Sequence, residues 1–75
     1  MLEFVETIDS EKFGSFIVVL QEYEDEYEQS IYNVGIECNN GLYSNTLDIY
    51  ESTSIHNAKE YYDNLIKNIE KTNNL

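Results

Sequence analysis

Apolar and polar residues alternate along the first segment of the chain. Leu2, Phe4, Glu6 and Ile8 fall on one face of an extended backbone, and Glu3, Val5, Thr7 and Asp9 on the other. A period of two predicts a half-buried strand over 2–8. Asp9 to Gly14 reads as a turn segment in which Gly14 is free to adopt a positive φ. Ser15 to about Tyr23 holds the continuous run Phe16-Ile17-Val18-Val19-Leu20. Its β-branched residues suit a central strand. Glu24 to Gln29 is too charged to pair comfortably and predicts a hairpin connection. Ser30 to Cys38 alternates again, with Tyr32, Val34, Ile36 and Cys38 on one face. Asn39-Asn40-Gly41 carries the Asn-Gly pair that fits a type I′ hairpin turn. Leu42 to Glu51 predicts a fourth strand with Leu47 and Ile49 inward and Asp48 and Tyr50 outward.

The period then changes. Ile55, Ala58, Tyr62, Leu65 and Ile69 recur at helical spacing, behind Thr53 or Ser54 as N-cap. Asn57, Lys59, Glu60, Asp63, Lys67, Asn68, Glu70 and Lys71 fall on the wet side, and Tyr61 flanks the stripe at the edge of the core. Lys67 and Lys71 near the end of the helix suit its dipole. The expected fold is α+β, a four-stranded antiparallel meander with one C-terminal amphipathic helix on one face (ββββα). Residues 1–75 form a single domain: an acidic sheet over 1–53, the helix over 54–72 and a tail over 73–75. The other sheet face is expected to stay open.

Charge changes this picture more than any motif does. Fifteen acids against four lysines and no arginine give a net charge of −11. Met1 to Thr53 carries twelve of the acids against Lys12 alone, or −11; Ser54 to Leu75 carries three acids and three lysines, or zero. Such a field repels nucleic acid and anionic membrane surfaces and attracts basic ones. Self-repulsion in the sheet half further predicts that added salt, or moderate acidification from pH 7, stabilises the fold. A hydrophobic content of 41% and ten Tyr and Phe residues place the chain among folded rather than disordered sequences. One cysteine, Cys38, allows no internal disulfide and fits a reducing compartment. The N-terminus lacks a basic segment before its apolar residues, and the longest apolar run is five residues. A cytoplasmic protein is therefore expected.

Candidate chemistry is sparse. Glu22-Tyr23-Glu24-Asp25-Glu26-Tyr27-Glu28 places five acids and two tyrosines in seven residues. It offers a contact surface for an Arg- or Lys-lined groove, with the tyrosines as anchors, or else a solvated hairpin tip. Alternate strand positions lie about 6.6–6.8 Å apart, so a row of carboxylates there has the spacing of extended backbone phosphates. The acids lack the glycine and the Asp spacing of a calcium loop. Carboxylate-pair catalysis needs a cleft that so small a domain has little room to build. Cys38 reads as a small core residue and His56 as a solvent-facing residue at the helix start. No phosphate-loop, dinucleotide, CxxC or HExxH pattern occurs. The expectation is a protein that is not an enzyme and uses no cofactor or metal.

A small, strongly acidic chain with a short sheet, a C-terminal helix and Tyr-Glu-rich hairpins resembles, as a type, the inhibitors that phages carry against host defences. These include anti-CRISPR proteins and nucleic-acid-mimic inhibitors of restriction enzymes. The likeness covers the whole chain without a shared motif, so it transfers no residue role. It implies a binding protein that blocks a basic, nucleic-acid-binding surface of an effector such as a Cas protein, in the host cell cytoplasm. The expected partner-binding residues are Glu22, Tyr23, Glu24, Asp25, Glu26, Tyr27, Glu28, Glu37, Asp48 and Tyr50. The alternative is an accessory module that forms a homodimer or joins a larger assembly through an edge strand or the helix.

Overall fold

Each alternating segment forms a strand, and the segment of helical period forms the helix. The structure, a computed structural model, describes residues 2–10, 14–39 and 44–73, without the side chains of Ser10, Asn39, Ser44 and Asn73. Its elements are β1 (Glu3–Ser10), β2 (Gly14–Glu24), β3 (Ser30–Asn39), β4 (Ser44–Ser52) and α1 (Ile55–Asn73). The strands make one antiparallel sheet in the order β1-β2-β3-β4. This is the expected ββββα arrangement. Gly14, the first residue of β2, has the positive φ expected of it, 84°. Asn40 and Gly41 of the expected type I′ turn lie outside the described residues.

Register sets the two faces. Phe4, Leu20, Val34 and Tyr50 lie across from one another in one row, and Glu6, Val18, Ile36 and Leu47 in the next. Both rows face the helix. Val18, Leu20 and Val34 are fully buried there, together with Ala58 of α1, and Ile8 and Tyr62 are nearly so. Phe16, Tyr32, Ile36, Tyr50, Leu65, Ile66 and Ile69 pack around them. Each fully buried aliphatic side chain contributes roughly 1.5–3 kcal/mol relative to exposure. The opposite face carries the rows Val5–Val19–Gly35–Asp48, Glu3–Gln21–Asn33–Glu51 and Thr7–Ile17–Glu37–Thr46. Every described side chain on it is half-buried or exposed.

The helix starts where expected. Ser54 Oγ accepts the N–H of Asn57 at 3.2 Å, and the Ser54 carbonyl accepts the N–H of Ala58 at 3.0 Å. The covered stripe begins at Ala58, whereas Ile55, expected in it, remains exposed at the helix start. Ile66 joins the packing beside Leu65. Lys59, expected on the wet side, is half-buried. Its Nζ lies 5.0 Å from the Phe4 ring centre and 5.2 Å from that of Tyr62, while donating to Asp63 Oδ1 at 2.7 Å. Its stem thus closes the core edge as its charge meets aromatic faces and a carboxylate.

The fourth strand departs from simple alternation. The register slips between Val34, which pairs with Tyr50, and Gly35, which pairs with Asp48. Ile49 is therefore an extra residue, a β-bulge that resets which side chains face the helix. Tyr50, expected outward, packs on the core and stacks on Tyr61 with ring centres 4.3 Å apart and planes at 4°. Ile49, expected inward, is exposed, and Leu47, though it lies opposite Ile36, stays 58% exposed on the edge strand.

Leu20→Ala should destabilise the protein by about 2–5 kcal/mol, because no solvent reaches the site. Leu65→Ala should cost less, since Leu65 only borders that core. Chemical denaturation of both variants checks the ranking; equal costs would mean that the helix, not the β2–β3 centre, holds the core.

Candidate interaction surface

The acidic run splits into two structural settings. Glu22 lies near the end of β2 on the helix-facing side. Its Oε1 accepts the N–H of Leu2 at 3.1 Å, and the Tyr32 hydroxyl approaches Oε2 at 3.5 Å. The Leu2 N–H bond, followed by a hydrogen bond from Ser30, holds the Glu22 carboxyl below the usual carboxylate range. Mutual repulsion of acids would move it the other way. At this position local hydrogen bonding outweighs the self-repulsion anticipated from composition. Glu22 thus ties the start of β1 to the end of β2.

Residues 25–29 form the turn itself. Asp25 Oδ1 accepts the N–H groups of Tyr27 at 2.8 Å and Gln29 at 2.9 Å. The Asp25 and Gln29 backbones are joined by a 3.0 Å bond, and Glu28 N–H donates to the Asp25 carbonyl at 3.1 Å. Glu28 has a φ of 61°, the left-handed conformation that closes such turns. Asp25 thereby acts as the bracket of the turn. Glu24, Glu26, Glu28 and Tyr27 are left to solvent, Tyr27 with 81% of its surface exposed.

Tyr23 belongs to a different place. It lies on the open sheet face, and its hydroxyl donates to Glu51 Oε1 at 2.7 Å. That bond raises the Tyr23 phenol above its ordinary range. The two tyrosines of the run are therefore not a joint anchor: one crosses the sheet and the other projects from the turn. The open face also carries Glu37 and Asp48, as expected, together with Glu3, Asp9 and Glu51. Gln21 Nε2 donates to Glu3 Oε2 at 3.0 Å. Among the described residues the lysines are Lys59, Lys67 and Lys71, all on α1. The sheet thus separates an acidic open face from the helix that carries the positive charge.

No strand carries a long row of acids. Glu22 and Glu24 alternate on β2, but on the helix-facing side, and the row ends at the turn. The open-face acids come instead from β1, β3 and β4, spread over two dimensions. Glu3 was legible from the alternation of β1. Glu51 was hidden by the bulge, which sets its facing. Tyr50, on the helix side, belongs with the core rather than with this surface.

The remaining reactive groups stand apart. Cys38 is half-buried in the helix-facing row, across from Phe16 and Asn45. His56 is exposed, with Nε2 3.7 Å from Glu60. Among the described residues, no group of three His, Cys, Asp or Glu side chains is placed to hold a metal ion, and no helix is long and apolar enough to cross a membrane. Compared with protein-family models, with curated proteins and with solved structures, the chain matches none.

Because the folded state holds Glu22 ionised, its contribution is complete above the ordinary carboxylate range and is lost as pH falls through the lowered value. Glu22→Gln should lower the melting temperature at pH 7, and the gap from the wild type should close as pH falls through and below the ordinary carboxylate range. A gap that persists at low pH would mean that packing, not charge, is what the substitution removes. Glu28→Gly, which relieves the positive φ, should instead stabilise by about 0.5–1 kcal/mol, and urea denaturation reads it directly.

Proposed function

We propose that the protein is a non-catalytic acidic binding protein that covers a basic, nucleic-acid-binding surface of a partner enzyme, as anti-CRISPR proteins and other anti-defence inhibitors do. One observation carries this reading. Glu3, Asp9, Glu37, Asp48 and Glu51 share the uncovered sheet face, while the described lysines lie behind it on α1. Net negative charge needed only for solubility would not have to avoid the helix. A one-signed face with no covering element steers and holds a surface of opposite sign. The turn residues Glu24, Glu26, Tyr27 and Glu28 extend the acidic surface at one end of the sheet. A nucleic-acid-binding effector such as a Cas protein has the basic groove that such a surface fits.

The β1 edge disfavours the alternative of self-assembly by strand pairing. Symmetric antiparallel pairing centred on Glu6 would place Glu6 against Glu6 and Glu3 against Asp9, and like charges directly opposite are destabilising. The β4 edge leaves more room for that alternative, because Leu47 and Ile49 are exposed there.

The test is displacement of DNA from a nucleic-acid-binding effector. The wild type should release the DNA, and raising salt from about 50 to 200 mM should weaken its effect steeply. Glu37→Gln, Asp48→Asn and Glu51→Gln together should slow association and abolish release with the circular dichroism unchanged. Lys67→Gln with Lys71→Gln should leave release intact. The protein alone should not retard DNA or RNA in a gel. Loss of activity in the lysine pair, with the acid triple unaffected, would move the interface to the helix. A salt-insensitive dimer in sedimentation would favour the accessory-module reading.

A further inference from the structure

The open face is not flat. Gly35 sits at its centre, between Val19 of β2 and Asp48 of β4, and leaves a concavity of about 200 Å³. Val19, Gln21, Asn33, Glu37, Thr46 and Asp48 line it. A glycine within a central strand weakens the strand and marks either a bulge or a close approach by another group. Here the register slips between Val34 and Gly35 itself, with the extra residue on β4, and Gly35 needs no positive φ. A Cβ built at Gly35 would meet the Leu47 carbonyl oxygen at 3.2 Å, Asp48 Oδ1 at 3.5 Å and Asn33 Oδ1 at 3.8 Å. The β4 backbone thus closes on Gly35 at the bulge, and the carboxylate of Asp48 and the amide oxygen of Asn33 border the same position on the open face. Val19 supplies an apolar wall.

We infer that the Gly35 notch seats an arginine side chain of the basic partner. This rests on the binding reading above and gives the acidic face a specific point of contact. The guanidinium has five donors and no acceptor in a planar fork, which matches the oxygens of Asp48 and Asn33. It is also weakly hydrated, and its stem can lie along Val19. The ammonium of lysine is a compact, strongly hydrated point charge and gains less from a shallow seat. The notch lies among the open-face acids, so the long-range field and the local contact favour the same kind of partner.

Fluorescence anisotropy with labelled nona-arginine and nona-lysine peptides at low salt tests this. The wild type should bind nona-arginine about fivefold or more tighter than nona-lysine. Gly35→Ala fills the notch without changing charge and should bring nona-arginine down to the nona-lysine level, leaving nona-lysine unchanged. Asn33→Ala removes one acceptor, again at constant charge, and should narrow the preference in the same direction. It serves as the deciding variant should Gly35→Ala fail to fold. If nona-arginine binds as tightly to these variants as to the wild type, the notch is not the seat, while the acidic face still binds. If neither peptide binds the wild type, the binding reading itself fails and the notch with it.

Discussion

The packing of Ala58 and Tyr62 on Val18, Leu20 and Val34 is the contact on which the rest of the structure depends. A chain of 75 residues has one helix to set against four strands. That helix covers one face, and its small residue, Ala58, lets it approach the centre of the sheet. No disulfide supplements this core, since Cys38 is free. Val18, Leu20 and Val34, which point to the helix from β2 and β3, are consequently fully buried. Everything on the other face must be compatible with water, and there the acids collect.

The edges of the core use amphipathic side chains. Lys59 lies over Phe4 and Tyr62 and pairs with Asp63, while Tyr50 and Tyr61 stack where α1 meets β4. Such contacts let a thin core end in charged or hydroxyl-bearing groups without leaving buried polar atoms unpaired. At the other end of the sheet, Glu22 and Asp25 serve the fold before they serve any partner. One joins β1 to β2, and the other brackets the turn. An acidic sequence is therefore not a uniformly acidic surface: two of its carboxylates are taken up by the backbone.

Much of the fold was legible because periodicity and burial agree. The alternation of β1 and β3, the apolar run of β2 and the spacing of Ala58, Tyr62, Leu65 and Ile69 each indicate the observed face. The bulge at Ile49 was not legible. No glycine or proline within β4 marks it, and an unbroken alternation from Leu47 through Ile49 fits the sequence equally well, so Tyr50 reads as outward-facing. The surface was half legible. Glu37 and Asp48 follow from strand alternation, but the joining of Tyr23 to Glu51 depends on a register that no local pattern encodes. The separation of Tyr23 from Tyr27 follows from Asp25 closing the turn between them. Gly35 carried a signal, a glycine inside an otherwise β-branched and apolar alternation, whose meaning appeared only once Asn33 and Asp48 were seen to lean over it.

On the proposed reading, the acidic sheet face should attract cations while the helix face should not. The most direct measurement is paramagnetic relaxation of backbone amides by a freely diffusing cationic nitroxide, compared with a neutral one of the same size. The ratio of the two isolates electrostatic attraction from simple exposure. Enhancement should concentrate at Gln21, Asn33, Gly35, Glu37, Thr46, Asp48 and Glu51 and in the 25–29 turn, with little at Lys67 and Lys71. Enhancement spread evenly over both faces, or greatest along α1, would contradict the account.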